Sequence, residues 1–121
     1  MLRWRENSHL LCTAAPAWNE LLFGCHRLPP SRRRQDLRDF IEGVLRFSLP
    51  ILPYDRTSAE WHAVQRGRLG KIGRTPPFLD GQIAAIASTG NLILVTRNLR
   101  DFSGFDGLMI SDWTQGDWRT E

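Results

Sequence analysis

Cysteine is scarce in this chain: only Cys12 and Cys25 are present. Two thiols build no disulfide framework, and no C-x-x-C pair offers zinc its usual spacing, even with His9 and His26 nearby. Both read as small residues on apolar faces. Long apolar runs are missing too. None approaches the roughly 20 residues that span a bilayer, and Met1–Glu6 lacks the apolar core of a signal peptide. A soluble, cytoplasmic chain is expected, with no membrane partner. There is no G-x-x-x-x-G-K phosphate loop. His9, His26 and His62 form no nucleophile–base arrangement. Lysine is nearly absent: Lys71 stands alone among 16 basic residues, the rest being arginine. Arginine's planar fork suits phosphate or an acidic partner, but a net charge of +3 decides little by itself.

What is present fits one domain spanning 1–121. Hydrophobic residues make up 41% of 121, enough for one core, and charged residues make up 24%. Short apolar runs alternate with amphipathic ones, which predicts an α/β fold. Leu10–Thr13 reads as a strand, and Pro16 opens a helix that ends by Gly24 and Pro29-Pro30. A second helix starts near Ser31, with Leu37, Phe40, Ile41, Val44 and Leu45 as its apolar stripe and Arg32–Arg34 on a solvated face. Ile51–Asp55 reads as a strand and turn. A helix from Thr57 or Ser58 to about Leu69 is expected to pack Ala59, Ala63, Val64 and Trp61 inward. Asp80 starts the next helix, with Ile83, Ala84, Ile86 and Ala87 inside and Gly90 at its C-cap. Leu92–Thr96 is an unbroken apolar run, the mark of a central parallel strand buried on both faces. Leu108–Ile110 is a last strand. Trp18 and Trp61 are assigned to the core rather than to base stacking.

Three places set acidic or amide groups beside the ends of buried elements: Glu20 early in a helix, Asp80 at a helix start, and Asn98 with Asp101 after the buried strand. In open α/β sheets, sites form at the carboxyl ends of strands. Crowded carboxylates repel unless a cation sits among them. Magnesium prefers oxygen ligands and keeps several waters, and such ions promote phosphodiester cleavage. Taken singly, Asp80 is an ordinary helix start and Asp101 a turn residue. Joint placement is what points to a site.

Thr13–Gly24, with Glu20-Leu21-Leu22-Phe23-Gly24, resembles the second conserved stretch of the VapC-type PIN toxins. Pro77–Ala85, with Asp80 opening the helix before Ile83-Ala84-Ala85, resembles their third motif. Leu94–Phe102, reading V-T-R-N-L-R-D-F from Val95, resembles their fourth, and Ser111-Asp112-Trp113 is similar to the family's end. The resemblance implies a PIN-like three-layer α/β fold, a parallel sheet flanked by helices. It implies metal-dependent cleavage of RNA, often tRNA or rRNA, with Mg²⁺ or Mn²⁺. A cognate antitoxin and a homodimer are the implied protein partners. Carried over by position, Glu20 and Asp80 are metal carboxylates. Asn98 stands at the fourth acidic position, with Asp101 one turn on as its substitute. Thr96 becomes a hydroxyl donor to phosphate or to metal-held water.

One departure stands out. The family opens with a central strand ending in Asp-Thr-Asn, and this sequence has no such segment. Residues 1–9 instead resemble part of the helix that precedes the second strand. The expectations are therefore a chain truncated at its N-terminus, a missing first central strand, and a flexible tail over 114–121. Two alternatives to an active nuclease follow: a catalytically inactive module that binds antitoxin, or one that binds RNA without chemistry.

Overall fold

A computed structural model describes residues 1–4, 11–96 and 98–112. The elements run β1 (Leu2–Trp4), β2 (Leu11–Ala14), α1 (Ala15–Arg27), α2 (Arg32–Phe40), a π-helical turn (Ile41–Leu45), α3 (Arg46–Ser48), β3 (Ile51–Leu52), α4 (Arg56–Lys71), α5 (Phe78–Thr89), β4 (Leu92–Thr96), α6 (Leu99–Phe102) and β5 (Met109–Asp112). The five strands form one sheet in the order β3-β2-β1-β4-β5. Helices flank it, as the α/β reading expects. The proposed tail over 114–121 and Trp113 lie outside the described residues.

Two expectations about the sheet are corrected. It is mixed rather than parallel, and its central place is filled. β1 lies between β2 and β4, antiparallel to both, pairing Leu2 with Cys12 on one side and with Leu94 on the other. The outer pairs, β2 with β3 and β4 with β5, are parallel. Residues 2–4 are thus a strand and not part of a helix. Chain length dictates the direction. A parallel neighbour needs a crossover of a dozen or more residues, and the link over 5–10 is too short for one. Leu2 is 1% exposed, and burying a side chain of that size contributes roughly 1.5–3 kcal/mol.

β4 is the strand its apolar run predicts. Leu92, Leu94 and Val95 are buried. Behind it α5 buries Gly81, Ala84, Ala85, Ile86 and Ala87, small side chains that let helix and sheet approach closely. Gly90 is the C-cap, its N–H bonded to the Ile86 carbonyl, and Asn91 takes the left-handed turn at φ 58°.

α4 and α2 depart from expectation. Ala63 and Val64 face solvent. The buried stripe of α4 is Ser58, His62, Gln65 and Leu69. Helical spacing holds, but three of the four are polar, and each polar one has a partner. The Ser58 and Thr89 hydroxyls lie 3.3 Å apart. Nδ1 of His62 shares a 2.8 Å hydrogen bond with the Tyr54 hydroxyl. Oε1 of Gln65 accepts from Arg68 Nη2 at 2.7 Å and from the Asp106 amide at 3.2 Å. Along α2 and its continuation only Ile41 of the expected stripe is fully buried, while Phe40, Val44 and Phe47 are exposed. These three lie along one continuous helical stretch, on either side of and within the π-helical turn.

Candidate active site

The candidate site lies at the carboxyl end of β4, where the strand's last residue, Thr96, meets the first turn of α5. Pro77 precedes α5, and its ring presets a helix-compatible backbone angle. Asp80 falls in the first helical turn, where the helix dipole favours negative charge. A cavity of about 220 Å³ gathers Asp80 and Ile83 from α5, Thr96 and Asn98 after β4, Ala14 and Ala17 at the start of α1, and Phe102. Asp80 is half-buried here. Burial first, and the charge of Asp101 second, hold its carboxyl above the usual aspartate range.

Thr96 and Asn98 are arranged by a local bond. The Asn98 amide donates to Thr96 Oγ1 at 3.0 Å. The threonine oxygen is engaged as an acceptor, so its hydroxyl hydrogen can be donated to a ligand. Asp101 is on the short α6, exposed, and lines a neighbouring hollow together with Arg74 and Arg100. The sequence reading passed over those two arginines. Arg74 lies on the loop before Pro76-Pro77, which carries no periodic signal.

Glu20 sits apart from Asp80. It opens onto a second hollow, lined also by Asn19, Tyr54, Leu79 and Gln82. Successive residues at two helix starts face opposite ways. Ala14, Ala17, Asp80 and Ile83 line the first hollow, whereas Ala15, Pro16, Leu79 and Gln82 line the second. The two helix starts form the ridge between them.

Among the described residues, no group of three or more histidine, cysteine or acidic side chains is close enough to hold a metal ion. The donors at the first hollow are nonetheless of one chemical type: a carboxylate with a second carboxylate acting on it, a hydroxyl and an amide, without thiolate or imidazole. That set fits a hard cation held through one or two carboxylates and water. It does not make a closed cage.

Known proteins resemble this chain in both sequence and fold. The tRNA(fMet)-specific endonuclease VapC of Salmonella typhimurium is 33% identical over 113 residues, which cover 92% of this chain and 81% of that protein. The DNA-bound VapBC structure from Salmonella typhimurium superposes with a TM-score of 0.76 at 29% identity, covering 88% of this chain and 78% of that one. FitAB bound to an IR36 DNA fragment gives a TM-score of 0.80 at 22% identity, over 94% of this chain and 78% of that one. No family model matches the sequence.

Proposed function

Because this chain belongs to the VapC family of toxin–antitoxin ribonucleases, we propose that it is a Mg²⁺-dependent endoribonuclease toxin acting at the hollow of Asp80, Thr96 and Asn98. The observation that carries this reading is geometric: Asp80 from the first turn of α5 lines one hollow with Thr96 and Asn98 at the carboxyl end of a buried strand, and the charge of Asp101 acts on it. Two carboxylates placed to oppose each other need a counter-charge. Asp80 and Asp101 would hold the cation, Glu20 lying across the ridge from them, and Mn²⁺ would serve as well. When bound, the ion supplies charge neutralisation at the phosphodiester.

The chain's own residues supply the rest. Thr96 donates its hydroxyl hydrogen to a phosphate oxygen, and the Asn98 side-chain amide offers a second donor. Arg74 and Arg100 flank Asp101 on the side from which a phosphate backbone would run, and their forks fit its oxygens. The substrate is RNA, of the tRNA or rRNA class. The tRNA(fMet) in the name of the Salmonella relative supports the former.

The partner is a cognate antitoxin, supported by likeness to a VapBC complex. Its place is the exposed apolar stretch of Phe40, Val44 and Phe47, uncovered among the described residues. A homodimer in the cytoplasm completes the reading. No described helix is long and apolar enough to cross a membrane.

A second reading is favoured by the open donor set: a catalytically silent module that still binds antitoxin or RNA. Cleavage of tRNA by the full chain with and without Mg²⁺, beside its Asp80→Asn variant, decides between them. Mg²⁺-dependent cutting that the variant lacks supports the nuclease. No cutting by the chain, with antitoxin capture intact, supports the silent module.

A further inference from the structure

The hollow on the Glu20 side of the ridge is not needed to explain phosphodiester cleavage, yet it is built. Two amide side chains, Asn19 from α1 and Gln82 from α5, line it together with the ring of Tyr54. Tyr54 is the chain's only tyrosine. Its hydroxyl is already engaged on the protein side, at 2.8 Å from Nδ1 of His62. His62 is 1% exposed and meets the phenol edge-on, with ring centroids 5.9 Å apart at 82°. The phenol is therefore anchored through its oxygen, and its ring lines the hollow beside the Asn19 and Gln82 amides and the Glu20 carboxylate. The volume, about 360 Å³, falls in the range of small-ligand sites, roughly 300–1,000 Å³.

Position relates this hollow to the cleavage site. Leu79 lines it while Asp80, the next residue, lines the other, and consecutive Cα atoms are about 3.8 Å apart. A strand with a phosphate at Asp80 can place a neighbouring base over the ridge. A π surface plus amides that both donate and accept is the equipment for holding an unpaired base and reading its edge.

We propose that the hollow of Asn19, Tyr54 and Gln82 is a nucleobase subsite, taking an unpaired base next to the scissile phosphate. Tyr54 stacks on the base, and the two amides read its edge. The proposal rests on the ribonuclease reading for its substrate class, so its test is independent of cleavage. Short single-stranded RNAs carrying A, C, G, U or an abasic residue at one position are titrated onto the full chain in EDTA, and binding is followed by fluorescence anisotropy. One base is expected to bind about tenfold more tightly than the abasic RNA. Asn19→Ala and Gln82→Ala should remove the preference and leave abasic binding unchanged. Tyr54→Phe should keep it, and Tyr54→Ala should bring every base down to the abasic level. Asn19 is exposed, so its variant tests the subsite without touching the core. Equal binding of the abasic RNA and all four bases by the unaltered chain overturns the proposal. So does an equal loss of abasic binding in the amide variants. If base preference stands but Mg²⁺ produces no cleavage, the nuclease reading falls and the subsite remains.

Discussion

His62 and Gly81 meet with no room for a side chain between them. A β-carbon on Gly81 would overlap the imidazole, lying 2.6 Å from Cδ2 and closer still to Nε2. The contact joins α4 to the first turn of α5, one residue from Asp80. Phe78 meets the same imidazole at a tilt, ring centroids 4.8 Å apart at 57°, and the Arg66 guanidinium lies over the Phe78 ring, 4.8 Å from its centroid.

Gly81→Ala is expected to destabilise the fold by about 1–3 kcal/mol, the cost of overfilling a packed site. It should also weaken cleavage by displacing Asp80. Adding His62→Ala relieves the overlap, so the double variant should lose less than the two single losses combined. Urea unfolding of the four proteins checks this. Additive losses would show that the two residues do not press on each other.

Acid should weaken the protein through His62. Burial first, and the Arg66 charge second, lower its pKa below the ordinary 6.5. In the window between the lowered folded value and 6.5, the unfolded chain binds more protons. Stability is full above that window and falls as pH drops through it. The urea midpoint should therefore decline as pH falls below about 6.5. The slope should be shallower in His62→Gln, which lacks this buried imidazole.

Asp80→Asn should abolish cleavage and, at neutral pH, raise the melting temperature, because it removes a carboxylate kept ionised against burial and against Asp101. Mg²⁺ should stabilise the unaltered chain but not the variant. A ligand of the folded state at a hundredfold excess over its dissociation constant adds about 2.7 kcal/mol. Equal Mg²⁺ shifts in both proteins would place the ion elsewhere.

Gln65→Ala strips the Asp106 amide of its acceptor, while Arg68 Nη2 keeps the Gly104 carbonyl. A loss of about 1 kcal/mol is expected for the one hydrogen bond left unmade, read by thermal unfolding.

Phe47→Glu tests the antitoxin face. Phe47 is 81% exposed, so stability should change by no more than about 0.5 kcal/mol. Antitoxin affinity should fall by at least about tenfold. Pull-down and calorimetry with the cognate antitoxin measure it.

Much of the scaffold was legible in residue order. The unbroken run of β4 and the small inner face of α5 announce burial directly, and the three motif stretches mark the strand and helix ends that carry Glu20, Asp80 and Asn98. The inner face of α4 was not legible. A stripe of Ser58, His62 and Gln65 looks solvent-facing until Thr89, Tyr54 and Asp106 arrive from other elements to bond it. The α2 stripe misled in the opposite sense: apolar periodicity predicts burial, but among the described residues nothing covers Phe40 and Val44. The separation of Glu20 from Asp80 escaped for a geometric reason. Spacing assigns both to helix starts, but not to opposite sides of the ridge those starts form.

The place of β1 in the sheet also bears on how the molecule comes apart. Three residues supply the ladder partners for two strands, and release of this one short element bares the facing edges of both β2 and β4. The amide proton of Val95, which bonds to the Met1 carbonyl at 2.8 Å, should then exchange well before those of α5, through a partial opening rather than global unfolding. Each such opening offers two unpaired edges to another chain. Loss of soluble protein on storage should therefore rise with concentration even where the melting temperature is unchanged.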